Sequence, residues 1–252
     1  MQKKQFPSVL ASWVKQSEEL VYRKMMKAND GLLVEKWNEF YKHLIIEDRV
    51  FDVNSKELIL LSLLTNSQEA NGRIHIKRAL EVGISEKQVI ASINLAGVFD
   101  SFRFYEFTSK NWPQEIPTNH VLNAYVNNIE TYSKILSPKL IEIMGTVCHA
   151  ARRSVSGMQF HLIRAFGLGA KKEEIAESLT YLIMLCSIPT LNDAENYVAT
   201  NWKGFEKSIA ITKEELTPRK LLQLIGTEGA RNIIHPNIWC SALFSEYTDK
   251  SN

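Results

Sequence analysis

The sequence predicts an all-α fold built from two copies of one helical unit, and three observations carry that prediction. His75-Ile-Lys-Arg78-Ala79-Leu-Glu-Val-Gly83 is echoed by His161-Leu-Ile-Arg164-Ala165-Phe-Gly-Leu-Gly169, with histidine, arginine, alanine and closing glycine at the same spacing. A charged run follows each copy, Ser85-Glu-Lys-Gln88 and then Lys171-Lys-Glu-Glu174. Apolar residues recur at three- and four-residue steps along most of the chain, with no convincing alternation of the kind a half-buried strand would show. A repeat of this kind sets the architecture, because each unit is too small to bury its apolar face alone.

The elements follow in order. A leader covers 1–53, with helical periodicity over 8–28 and 32–46; in the second stretch Leu33, Trp37, Phe40, Tyr41 and Leu44 share a face. Asn29-Asp30-Gly31 between them is a helix stop and turn. The first unit spans 54–112: Asn54 or Ser55 caps a helix through the apolar run Leu58–Leu64, Thr65-Asn-Ser-Gln68 breaks it, and the His75 helix closes on Gly83. Ser85 and Gln88 have capping-box spacing at the head of a third helix running to Val98. Prolines 113 and 117 mark a joint, and Val121, Leu122, Tyr125, Ile129, Tyr132 and Leu136 form the face of a connecting helix over 113–136. The second unit, 137–202, opens at Ser137-Pro138. It repeats the pattern to Gly169 and closes on Asn201-Trp202, as the first closes on Asn111-Trp112. The tail, 203–252, holds a helix start at Thr217-Pro218 and an apolar patch at Ile238–Phe244, whose Trp239 and Phe244 suit a covered or intersubunit surface.

Composition narrows the function classes. The chain has 252 residues, 45% hydrophobic and 23% charged, with a net charge of +2. That balance gives no electrostatic case for a nucleic-acid partner. No apolar run approaches the roughly 18 residues of a membrane span. Cys148, Cys186 and Cys240 are widely spaced, with no C-x-x-C pair, which fits reduced cytoplasmic thiols. There is no glycine-rich phosphate loop and no Ser-His-Asp order to defend.

The pattern of an apolar helix with an early glutamate, a break, His-x-x-Arg-Ala-x-x-x-Gly, a charged helix start and a long apolar helix resembles the carboxymuconolactone decarboxylase and AhpD-like family. The resemblance covers roughly 54–112 and 137–202. It implies tandem AhpD-like repeats forming an intramolecular pseudo-dimer, assembled as a homo-oligomer of two or three chains. The redox branch of the family places cysteines seven and four residues before the histidine; Gln68 and Asn71 stand there in the first unit, Ser154 and Gly157 in the second. None of these forms a thiolate, so thiol peroxidase chemistry lacks its nucleophile. The resemblance also implies a glutamate in the first helix of each unit. Glu142 has the expected spacing from His161, whereas Glu57 is one residue out of register from His75, with Lys56 at the strict position. The second unit is therefore the better candidate for activity.

The candidate catalytic residues are His161, Glu142 and His75. Ser154 or Ser156 would cap the His161 helix about one turn before the imidazole, and a helix start favours the neutral ring. A neutral histidine partnered by glutamate can stabilise and protonate the enolate left by loss of carbon dioxide. Both histidines are also readable as core residues closing a packing contact, a reading that weighs more for His75 than for His161. Glu142, Thr146, His149 and Arg153 recur at helical spacing, either as a pocket wall with Arg153 clamping a substrate carboxylate or as a solvated face; the scarcity of buried charge favours the solvated face, above which the family spacing lifts Glu142 alone. Arg153, His149 and Asn71 are the candidate substrate-binding residues. A metal site from His149, His161 and Glu142 lacks a paired motif on one helix, so no metal and no cofactor is expected. Asp100, Arg103 and Tyr105 lie toward the family's pocket region or form a polar helix end. The expected activity is a cofactor-independent lyase acting on a small carboxylated lactone or keto acid; the alternative is an inactive relative that binds a metabolite or protein partner.

Overall fold

The computed structural model describes the backbone of residues 5–212 and the side chains of residues 8–205, and everything described is helix, turn or loop. The tail positions Thr217-Pro218, Trp239, Cys240 and Phe244 lie outside the described residues. By its internal contacts the chain divides into one compact body of residues 1–197, which holds the helices up to residue 185 and so both histidine helices, and a second body of residues 198–252.

The leader stretch expected as one helix over 8–28 is two, α1 (Gln5–Ser17) and α2 (Val21–Asn29). Asp30 ends α2 and caps α3 (Gly31–Tyr41), its carboxylate accepting from the Leu33 amide. A π-helical turn, Lys42–Ile46, extends α3 and buries Leu44, Ile45 and Ile46.

α4 (Val53–Asn66) is capped by Asp52, which accepts from the Ser55 amide, rather than by Asn54 or Ser55. A 3₁₀ turn at Ala70–Gly72 leads into α5 (Arg73–Glu81), which ends before Gly83 at φ 90°. That left-handed conformation carries little penalty for glycine, as the sequence pattern requires. α6 (Glu86–Asp100) opens with the expected reciprocal capping box of Ser85 and Gln88. After a bend at Ser101 comes α7 (Phe102–Asn111), and the connecting helix is α8 (Thr118–Glu130).

α9 (Pro138–Ala151) starts with Ser137 capping and Pro138 in the first turn. α10 (Val155–Gly167) is capped by Ser154 and ends before Gly169, at φ 82°. Lys171 precedes α11 (Lys172–Thr180), which is followed by α12 (Leu182–Leu185) and the long α13 (Ile188–Thr212). Here the two closings differ. α7 stops at Asn111 because Pro113 disfavours helix in the residue before it, whereas Asn201 and Trp202 lie inside α13 with no proline behind them.

The core centres on α4 and α9. They pack against each other; α9 also packs on α10, α6 and α11, and α4 on α5 and α6. Every residue of α9 from Ile141 to Ala150 is buried. The solvated face that residue statistics favour for Thr146 and His149 is therefore absent, and Glu142 is buried with them, because neighbouring helices cover this stretch of α9. α4 is likewise buried from Lys56 to Leu64. Among the described residues no helix is long and apolar enough to cross a membrane.

Candidate functional site

α9 and α10 bring the second unit's residues together. Glu142 is the fifth residue of α9 and His161 the seventh of α10, 19 positions apart in sequence. Their side chains meet: His161 Nδ1 is 2.6 Å from Glu142 Oε2. Arg164, one turn further along α10, donates through Nε to Glu142 Oε1 at 2.7 Å. α8 supplies Tyr125, whose hydroxyl is 2.7 Å from His161 Nε2 and 3.4 Å from His149 Nε2. The His149 and His161 rings stack with centroids 5.1 Å apart. Phe99, Phe102 and Phe160 pack against the imidazoles or the phenol.

The ring positions depend on two glycines. A Cβ at Gly145 would run into the His161 imidazole, and one at Gly157 into that of His149. Gly145 lets His161 lie on the α9 backbone, and Gly157 lets His149 lie on α10.

Charge and burial assign the protons. Burial opposes ionised Glu142, but Arg164 and His161 outweigh it and hold the carboxyl below its usual range. An ionised carboxylate only accepts, so His161 carries its proton on Nδ1 and its bare Nε2 accepts from the Tyr125 hydroxyl. His149 then donates from Nε2 to the phenol oxygen. Burial lowers the pKa of both histidines, that of His149 strongly with His161 adding to it, and pushes Tyr125 far up. The neutral state of His161 comes from burial, since the ring lies beyond the first helical turn where the macrodipole acts. The result is a directional chain of hydrogen bonds, His149 to Tyr125 to His161 to Glu142, closed by Arg164.

The first unit assembles the same residue types. His75 Nδ1 is 2.9 Å from Glu57 Oε2, Arg78 Nε is 2.7 Å from Glu57 Oε1, and Tyr41 stands where Tyr125 stands in the second. The one-residue register difference is absorbed in the turn. The interval from Glu57 to Gln68 equals that from Glu142 to Arg153, and both Gln68 and Arg153 have positive φ, 57° and 56°. The missing residue lies between Gln68 and His75, where a 3₁₀ turn replaces the cap of α10. Lys56 turns away instead, to the Glu47 carbonyl and to Glu177 at 3.8 Å.

Three differences separate the clusters. Arg78 bonds the Tyr41 hydroxyl at 2.8 Å and leaves it 3.4 Å from His75, whereas Arg164 turns toward Glu130 at 3.6 Å and leaves Tyr125 to His161. Leu64 occupies the position that corresponds to His149. The Arg78 side chain is 1% exposed and that of Arg164 16%. Arg164 and Glu142 border a cleft of about 400 Å³ lined also by Ile129, Glu130, Ser133, Lys134, Pro138, Ile141 and Leu168. Lys56, which precedes Glu57 as Ile141 precedes Glu142, is wholly buried.

The remaining expected site residues lie elsewhere. Arg153 is exposed on the turn after α9 and pairs with Asp193 at 3.6 Å, so the guanidinium at the carboxylate is that of Arg164. Asn71 is exposed in the 3₁₀ turn, its amide bonded to Glu69. Asp100 pairs with Arg103 and Arg152, and Tyr105 packs on Phe102. Arg164 and Arg78 were visible in the repeated His-x-x-Arg, a spacing that places both side chains on one helix face. Tyr125 and Tyr41 carried no signal beyond a similar distance ahead of each histidine, 36 and 34 positions. Among the described residues no group of three His, Cys, Asp or Glu is arranged to hold a metal ion. No protein-family model, curated protein or solved structure matches the chain.

Proposed function

We propose that the chain is a tandem protein of the carboxymuconolactone decarboxylase and AhpD-like type, a pseudo-dimer of two units packed through α4 and α9. Its second unit would carry out cofactor-independent decarboxylation of a small carboxylated lactone or keto acid. The observation that carries this reading is the hydrogen-bonded chain from His149 to Glu142, ending at a cleft beside Arg164.

The chemistry follows from that arrangement. Lys134 and Arg164 share the cleft wall with Glu130 and Glu142, so an anionic substrate would be held by taking the place of the exposed Glu130 carboxylate on Arg164. As carbon dioxide leaves, the electron pair of the broken bond stays on the substrate as an enolate, which the fixed Arg164 charge stabilises. The product then needs one proton at carbon. Solvent in the cleft supplies that proton through Glu142, while neutral His161, held by Tyr125, keeps its Nδ1 proton on the carboxylate and positions it. The balance is one carboxylate and one proton in, product and carbon dioxide out, with every side chain returned to its starting state. The sealed first cluster then serves as structure, its Glu57 and Arg78 pairing in the core. Exposed Val21, Met25, Leu32 and Leu33 on α2 and α3 fit a homo-oligomer.

A second reading, a catalytically silent binding protein, is favoured by one observation: His161 is fully buried, with both nitrogens already engaged. A panel of small carboxylated lactones and keto acids separates the two. Ligands that raise the melting temperature are followed for carbon dioxide release with wild type, His161→Gln and Glu142→Gln. Release by wild type and at least 100-fold less by both variants supports the lyase. Binding without release by wild type transfers the protein to the second reading.

A further inference from the structure

The leader helices hold a buried positive charge that no carboxylate among the described residues pairs with. Arg23, on α2, is 3% exposed. Its guanidinium lies 5.2 Å from the Trp13 ring centroid and one nitrogen, Nη2, donates to the Asn38 side chain. Nε and Nη1 are buried with no partner, and no carboxylate pairs with Arg23 among the described residues. An arginine cannot shed its proton, so its burial without a counter-charge is unfavourable unless something else supplies one.

A second donor is orphaned alongside. Trp37 Nε1, on α3 next to Asn38, is also buried without a partner. Arg23 and Trp37 converge on the Tyr22 hydroxyl: burial pushes the phenol pKa up, the guanidinium and the indole N–H pull it back, and the Glu69 carboxylate, which makes no ion pair with Arg23, adds a smaller upward push. Tyr22 is 43% exposed, so this group of donors reaches solvent through it. All the unpartnered atoms are donors. A water molecule would accept from them but leave the charge uncompensated, whereas an oxyanion satisfies both needs.

We infer that Arg23, Trp37 and Tyr22 form a binding site for a small oxyanion, a carboxylate or a phosphate, between α2 and α3. The site is separate from the Glu142 cluster and stands whether or not that cluster is catalytic. Trp13 joins it to the first unit by stacking on Tyr41, with centroids 4.1 Å apart and ring planes at 9°.

Sodium phosphate and sodium acetate are titrated into the full chain, with sodium chloride matching ionic strength, and melting temperature and calorimetric binding are read. The wild type is expected to be stabilised by one or both anions over chloride; phosphate alone assigns a phosphate-type ligand, acetate alone a carboxylate. Arg23→Met should abolish the effect, and Trp37→Phe should weaken binding about tenfold, the worth of one hydrogen bond to a charged group. Glu142→Gln should leave it intact. If Arg23→Met does not fold, the nitrogen resonance of Arg23 Nε in the wild type is followed instead and should move with the anion. No anion-specific effect in the wild type, persistence in Arg23→Met, or an unmoved Nε resonance overturns the proposal and leaves water as the occupant.

Discussion

His161 illustrates how much a single residue position depends on what is missing beside it. Its imidazole lies where a Cβ of residue 145 would be, so Gly145→Ala forces either the ring or α9 to move. Overpacking of this kind costs about 1–3 kcal/mol, which in a chain of this size lowers the melting temperature by about 2–12 °C. A thermal melt checks it, and an unchanged melting temperature would mean that the ring relocates freely. The thiols make a second case at this scale. Burial pushes the Cys148 pKa up to about 12, with Ser62 only partly offsetting it. Reaction of Cys148 with a thiol reagent in the folded protein should be at least 100-fold slower than after unfolding, as peptide mapping of the labelled sites would show.

At the scale of elements, the most informative contact is the one that binds α11 to the loop before α4. Glu177 accepts from the Val50 amide at 2.6 Å and the Tyr181 hydroxyl at 2.9 Å, and faces Lys56 at 3.8 Å and Arg49 at 3.6 Å. The Lys56 side chain is fully buried. Among the described residues Glu177 is the carboxylate within ion-pair distance of Lys56, so Glu177→Ala leaves a buried charge unpaired and should destabilise by about 3–5 kcal/mol, measured by urea unfolding. Lys56→Met in the same background should recover part of that loss. The capping box at the head of α6 predicts a smaller effect. Ser85→Ala removes the acceptor for the Gln88 amide and should cost about 1 kcal/mol.

For the whole molecule, the buried titratable groups set one sign of pH dependence. His75, His149 and His161 have pKa values lowered from 6.5, chiefly by burial. In each, the unfolded chain takes up protons first as pH falls, so stability present above about pH 6.5 declines below it. Glu57 and Glu142 are lowered from 4.5, because their arginine and histidine partners outweigh burial, and they extend the loss below about pH 4.5. Each group contributes up to about 1.4 kcal/mol per pH unit while it titrates in one state only. Unfolding at pH 8, 6 and 5 should show a falling midpoint. His149→Leu, which installs the residue type found at Leu64, should flatten that fall; a slope equal to wild type would show that His149 is not buried neutral.

What the sequence by itself determined is the local grammar. Capping residues, closing glycines, prolines and helical periodicity are short-range properties, so Ser85 with Gln88, Ser137-Pro138, Gly83 and Gly169 were legible before any contact was known. The repeated His-x-x-Arg placed an arginine beside each histidine for the same reason. Tertiary structure alone decided the rest. Glu57 looked out of register because helix spacing assumes identical turns, and a 3₁₀ turn absorbed the difference. Thr146 and His149 looked solvated because a polar stripe carries no information about which helices will cover it. Tyr125 and Tyr41 entered the clusters from helices far away in sequence, and Arg153 left them because the turn after α9 points it outward. Which cluster opens on a cleft depends on the packing of Arg164 against Glu130 rather than a tyrosine, a choice made by three-dimensional neighbours that no spacing encodes.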